Sequence, residues 1–285
     1  MNIPIIERPL IINICPTGIV STKDQNINIP ISRSEIVDTV LRASELGVQM
    51  VHLHARDDAG EATCDADKYT AIFSEIRKDT MGKDLVICVT TSGRKTPDVH
   101  DRAAVLDIDG AAKPDMASLT LSSLNFMTQA SVNAPDTIRE LAQRMKKRGI
   151  KPELEVFDLG MLNFAKVLIR EGLVEPPYYF NILLGNIGSA QASLSHLSVL
   201  VNDLPKGAIW SVAGIGRFQK TMSTIGVAMA NGVRIGLEDN LWKHFDPIKI
   251  PATNIELVQG VIDSAAAVGR PLMNVQDVRT LLGLN

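Results

Sequence analysis

Eight short apolar runs, rich in β-formers, alternate with stretches of helical periodicity along almost all of this 285-residue chain. No other feature limits the available folds as strongly. The runs are Leu10–Ile14, Met50–His54, Leu85–Val89, Met116–Leu119, Glu153–Val156, Tyr179–Leu184, Ala208–Val212 and Gly232–Ile235. Several are apolar without alternation, as parallel strands covered on both faces must be. Between them, Ser32-Arg33-Ser34-Glu35 has the form of a capping box opening a helix that Gly47 is placed to end. Pro135 predicts the first turn of another helix, and Gly149 follows its basic end. Further helices are expected over Asp67–Lys78, Leu162–Glu171, Ser195–Val201, Thr221–Ala230 and Ile255–Val268.

Eight strand–helix units in about 260 residues predict an α/β fold of the (β/α)8 TIM barrel class. The rival, an open doubly wound sheet, would carry G-x-G-x-x-G after its first strand, and only Thr17-Gly18 follows Ile14. No linker or repeat divides the chain, so one domain is expected over residues 1–285, with a short helical extension at 270–285 that can act as a docking arm. The net charge of −3 gives no footprint for nucleic acid. No run of 18 uncharged apolar residues suits a membrane, and Met1–Pro9 lacks the form of a signal peptide. Cys15, Cys64 and Cys88 lack metal-ligand spacing and fit a reduced cytoplasm.

Barrels place their chemistry at the carboxyl ends of the strands, and polar residues gather there. His52 and His54, two apart on one strand, project from the same face and can share a metal ion. Of the other histidines, His196 falls in a helix and His244 in a loop, so a carboxylate is the better third ligand. Glu238 and Asp239 follow the eighth strand; one can ligate a metal while its neighbour serves as a base. Glu153 and Glu155 share a face of strand five, and Ser118 and Thr120 a face of strand four; these pairs suit either site support or core satisfaction. Gly185, Gly188, Gly214 and Gly216 fall in loops that hold phosphate in many barrels, and tight turns explain them equally well. Arg56 and Asp57 suggest a structural ion pair, and Cys88 a buried small hydrophobe.

Taken in order, His52-Leu53-His54-x-Arg56, Thr90-Thr91-Ser92-Gly93, Pro114-Asp115-Met116-Ala117-Ser118-Leu119, Pro152-Glu153-Leu154-Glu155-Val156-Phe157, Ala213-Gly214-Ile215-Gly216-Arg217 and Arg234-x-Gly236-x-Glu238-Asp239-Asn240 resemble the β-keto acid cleavage enzymes. The resemblance runs from about Leu10 to Leu272. It implies a zinc-dependent barrel that condenses a 3-keto acid with acetyl-CoA, giving acetoacetate and a new acyl-CoA. By position it implies one zinc ion on His52, His54 and Glu238, with Asp239 as the base and Arg234 paired with it. Thr90 stands where the family's named member has a substrate-contacting serine. The resemblance further implies a homotetramer, and the apolar segment Val275–Leu284 offers a contact surface. It leaves open the particular 3-keto acid, the residues that hold CoA and the identity of the divalent ion.

Two departures stand out. Where the family's named member has a glutamate for its substrate's ammonium group, this chain has Val20, which predicts an uncharged tail. Asp24, in the loop 21–31, is the candidate for a replacement carboxylate. Ala230-Asn231-Gly232 replaces a common Gly-Gly-His, outside the implied metal ligands. The competing classes are an amidohydrolase-type metal hydrolase, which needs histidines after later strands, a hydroxymethylglutaryl-type lyase, which needs Asp-Arg where Cys15-Pro16-Thr17 stands, and a ligand-binding barrel without catalysis.

Overall fold

Eight parallel strands close a barrel in the computed structural model, which describes residues 7–245 and 248–284. They are β1 (Ile11–Ile14), β2 (Met50–Leu53), β3 (Val86–Val89), β4 (Met116–Thr120), β5 (Lys151–Val156), β6 (Tyr179–Leu184), β7 (Ile209–Gly214) and β8 (Gly232–Ile235). Each strand pairs with the next, and β8 returns to β1 through the register Asn13↔Arg234. Met1–Ile6, within the stretch read for a leader, and Asn285, at the end of the extension, lie outside the described residues. No described helix is long and apolar enough to cross a membrane. All three cysteines are unpaired.

Strand parity sorts the side chains into two environments. Ile12, Ile14, Val51, Leu53, Ile87, Val89, Leu154, Val156, Phe180 and Ile182 point outward into the layer beneath the helices. The alternate positions point into the barrel. Its lower interior is apolar, with Ile11, Met50, Val86, Met116, Tyr179 and Ile209. Above them the inward positions turn polar: Asn13, His52, Ser118, Glu153, Asn181, Ser211 and Arg234 are all buried. Such a polar layer, paired within itself, belongs to a site rather than to a hydrophobic core.

The helices are α1 (Arg33–Glu45), α2 (Ala66–Lys78), α3 (Val99–Ala103), α4 (Pro135–Arg148), α5 (Leu159–Arg170), α6 (Leu194–Asn202), α7 (Gln219–Met229), α8 (Asn254–Ala267) and α9 (Val275–Leu282). Pro135 opens α4 and Gly149 closes it in the left-handed region, as expected. The connection between β3 and β4, to which periodicity assigned no helix, holds the five-residue α3 and two short 3-10 turns. An element this short presents too little of a face for a 3.6-residue period to register. α5 begins three residues earlier than expected because Asp158 accepts from the Met161 N–H. His244 lies in a short ribbon, Trp242–His244 against Ile250–Pro251, rather than in a loop.

The terminal helix corrects another expectation. Val278, Leu282 and Leu284 bury against the lower barrel interior, so α9 stoppers the amino-terminal end of the barrel. Most of the apolar face read as a docking surface is consumed within the chain itself.

The capping box on α1 forms as read. Ser32 accepts from the Glu35 N–H, while Glu35 accepts from Ser32 and Ile31 and pairs with Lys23. Burial alone would raise the Glu35 carboxyl, but the hydrogen bonds from Lys23, Ser32 and Ile31 hold it at about 2. A folded-state value below the unfolded one gives stability that is present above the model-peptide value of 4.5 and lost as pH falls through about 2. Because the pair is exposed, the effect is small, roughly 0.5 kcal/mol. The Tm gap between wild type and E35Q should therefore hold from neutral pH down to about 4.5 and narrow as pH falls from there towards about 2; a gap that stays constant across that lower window would show that the charge contributes nothing.

Candidate active site

The ends of β2 and β8 meet at the barrel mouth. Gly236 closes on the first strand so tightly that a Cβ there would lie 2.2 Å from the Cys15 carbonyl oxygen, at a φ of +146 that disfavours other residues. This turn carries Glu238 and Asp239 back over the barrel axis. Gly18 supplies the facing wall: a Cβ there would lie 2.8 Å from Glu238 Cγ.

Three expected ligands converge as a result. His52 Nε2 and His54 Nε2 are 3.2 Å apart, and Glu238 Oε1 lies 3.3 Å from His54 Nε2 and 3.9 Å from His52 Nε2. Ligands on a tetrahedral ion with bonds of about 2.0–2.1 Å stand roughly 3.3 Å apart, so the set fits a divalent cation. Glu238 Oε2 is buried without a hydrogen-bond partner, which leaves a carboxylate oxygen beside these nitrogens free for an ion. His52 is oriented from behind: its Nδ1 sits 2.6 Å from Glu153 Oε2, which leaves Nε2 toward the site. Glu153 Oε1 in turn accepts from Asn13 and Asn181, each at 2.7 Å. Burial would lower the His52 imidazole, but the Glu153 and Glu238 carboxylates push it up to about 9 in the metal-free chain. A second His/Cys/carboxylate cluster, His52, Cys88 and Glu153, is closed by its own hydrogen bonds, since the Cys88 thiol donates to Glu153.

Arg234 organises the acidic side of the site. Its Nε is 2.9 Å from Asp239 Oδ2 and its Nη2 is 3.3 Å from Asp239 Oδ1, a two-point grip. The same guanidinium reaches Glu155 Oε1 at 3.2 Å and Glu238 Oε1 at 2.7 Å. Burial lifts the Asp239 carboxyl above its ordinary range although Arg234 pulls against it. Thr120 donates to Glu155 Oε2 at 2.7 Å, so both Glu153 and Glu155 act by holding neighbours.

Thr90, Ser118, Thr120 and Val20 line one cavity of about 130 Å³ with His52, His54, Arg234, Glu238 and Asp239. The residues assigned from the sequence to metal binding, to catalysis and to the substrate are thus brought together. His100, His196 and His244 are not in its lining; the first pairs with Arg144 and the second accepts from the Gln191 N–H. Asp24 is exposed and also absent from the lining. Arg56 corrects the expected ion pair: it donates to the carbonyls of Gly18, Gly60 and Ser21, while Asp57 accepts from Ala59 and Glu61. Gly214 is explained by packing, since a Cβ there would lie 2.3 Å from the Phe218 carbonyl oxygen.

Three residues escaped the sequence reading: Asn13, Asn181 and Arg94. The signal for the asparagines was present, a lone amide at inward parity in an otherwise apolar strand. Arg94 follows Thr90-Thr91-Ser92-Gly93 and lines the cavity beside Ser92, Phe126 and Phe157. Nothing in its local sequence marks it, because its neighbours come from the loops after β4 and β5.

A parallel barrel with two histidines and a carboxylate clustered at its carboxyl end, beside an arginine-held aspartate, defines a class of candidate metal-dependent barrel enzymes. The family described as beta-keto acid cleavage enzyme matches residues 9–284, and the chain belongs to that family. It is 34% identical over 280 residues to the 3-oxoadipate:acetyl-CoA acetyltransferase of Cupriavidus necator, covering 97% of this chain and 95% of that protein. It is 32% identical over 276 residues to the 3-keto-5-aminohexanoate cleavage enzyme of Fusobacterium nucleatum, covering 96% and 98%. Among solved structures, apo ObcA superposes with a TM-score of 0.77 at 20% identity, over 90% of this chain and 65% of that one, a likeness of fold.

Proposed function

We propose that this chain condenses a 3-keto acid with acetyl-CoA to give acetoacetate and a new acyl-CoA, using a zinc ion held by His52, His54 and Glu238. The observation that carries the reading is the meeting of that ligand set with an aspartate gripped by Arg234 in one cavity. Family membership and the activities named for the relatives support it. When bound, the ion supplies Lewis-acid stabilisation of charge on the substrate's oxygens.

The chain's own residues do the rest. Asp239 takes a proton from the carbon between the keto and carboxylate groups, and its raised carboxyl suits that task. Arg234 keeps Asp239 turned from the metal ligands and toward the substrate. The hydroxyls of Thr90, Ser118 and Thr120 line the wall against which the acid lies. The deprotonated carbon attacks the acetyl carbonyl and CoA leaves as thiolate. The thiolate then adds to the keto carbon, the bond between that carbon and its former α-carbon breaks, and the electron pair left on the α-carbon takes back the proton held by Asp239. Acetoacetate keeps the original carboxylate and the acetyl group; the remaining acyl chain departs on CoA.

The same reading takes the protein as a one-domain cytoplasmic homotetramer, and native mass measurement reads the assembly directly. The deciding experiment is turnover of a panel of 3-keto acids with acetyl-CoA, following acetoacetate release. Turnover of at least one acid is expected. Metal-dependent hydrolysis of amides or esters in its place would move the protein to the hydrolase class. The relatives' named substrates carry tails of opposite charge, a carboxylate in 3-oxoadipate and an ammonium in 3-keto-5-aminohexanoate, so membership of the family leaves the tail undecided.

A further inference from the structure

Most charges in the cavity are answered within the chain. Asp239 and Glu155 are held by Arg234, Glu153 by His52 and two asparagine amides, and Glu238 belongs to the ligand set. Arg94 is the exception. It is half-buried in the cavity wall, its Nε is shielded from solvent without a hydrogen-bond partner, and no described carboxylate pairs with it. Its guanidinium carbon lies 3.2 Å from the centre of the Phe126 ring, which itself packs edge-on against Phe157. Stacking on an aromatic face fixes the guanidinium plane and leaves its N–H edge free to donate. The loop beneath is braced: Arg102 donates to the Thr91 carbonyl and to Asn133, and packs so closely under Gly93 that a Cβ there would lie 2.4 Å from its Nη1.

A preorganised, partly desolvated guanidinium without a carboxylate of its own is a receptor for one. We propose that Arg94 binds a second carboxylate, at the far end of the substrate, and that the preferred substrates are 3-keto dicarboxylic acids. The proposal deepens the reading of the chain as a 3-keto acid:acetyl-CoA enzyme and rests on it. Val20 and Arg94 agree in excluding an ammonium tail. Val20 alone pointed to an uncharged tail; the cation at Arg94 moves the preference to an anionic one.

The test compares 3-oxoadipate with 3-oxohexanoate, which has the same carbon count but no second carboxylate. R94Q should lower kcat/KM for the dicarboxylate about 10- to 100-fold, the scale of a hydrogen bond to a charged group. The monocarboxylate should lose far less, so the ratio of the two kcat/KM values is the readout. R94K, which keeps the charge without the planar fork, should recover part of the loss. An equal fall for both acids would overturn the proposal, as would a change confined to the KM for acetyl-CoA. Calorimetry with adipate and hexanoate, which lack the keto group and do not react, gives a second readout. Wild type should bind adipate more tightly, and R94Q should erase the difference; equal binding of the two acids by wild type would also overturn the proposal. If wild type turned over no 3-keto acid yet discriminated adipate in this way, the proposed function would fail while the assignment of Arg94 stood.

Discussion

Asp239→Asn should abolish exchange of the substrate's acidic α-protons with solvent deuterium while metal content and substrate binding remain. Removing a general base costs about 10²–10⁴-fold in rate. The large end of that range is expected, because the other carboxylates of the cavity are engaged elsewhere. Glu155 is committed to Thr120 and Arg234, Glu153 to His52, and Glu238 to the ligand set. Asparagine preserves the shape and one acceptor for Arg234, so the loop after β8 should hold. Proton exchange observed by NMR isolates the deprotonation from the later carbon–carbon steps. Wild-type exchange in D239N would remove Asp239 from the role of base, whatever happened to overall turnover.

His54→Ala should remove both bound metal and turnover, with activity falling by about 10³-fold or more, the scale of the several kcal/mol that a Lewis acid contributes. Of the two histidines, His54 gives the cleaner experiment. Its Nδ1 has no partner, and Glu238, which faces its Nε2, keeps the hydrogen bond from Arg234, so its loss strands no other group. His52→Ala also deletes the closest charged partner of Glu153 and leaves a fully buried carboxylate supported by two amides, the Cys88 thiol and Arg234 at 4.0 Å, a loss expected to destabilise the barrel. The expected pattern is therefore asymmetric: H54A keeps the wild-type thermal transition of the metal-free protein, and H52A lowers it. Metal analysis and a melting curve read both. A full complement of tightly bound metal in H54A would refute the ligand assignment.

The barrel was legible in the sequence because its cause is local. A strand buried on both faces must be apolar outward, and each outward residue on β1, β2 and β3 is Ile, Val or Leu. Helix ends carried their own chemistry too, as with Ser32 and Glu35, or Pro135 and Gly149. Where the local signal was thin, in the five residues of α3, the reading assigned nothing. The His52/His54 pair was equally readable, since a spacing of two on a strand sets a common direction without reference to the rest of the molecule.

What the chain order alone determined was therefore the alternation, the inward parity of the polar residues and the resemblance carried by six motifs. Whether His52, His54 and Glu238 share one point depended on closure, because 184 residues separate His54 from Glu238 and only the β8–β1–β2 pairing brings them to 3.3 Å. The use of α9 was decided in the same way: its apolar face reads identically whether it meets another subunit or, as here, the open end of its own barrel. Arg94 shows the limit most plainly. An arginine's role is set by which carboxylates it fails to meet as much as by those it meets. That is a property of the assembled cavity, where the partners of every other charge are already assigned.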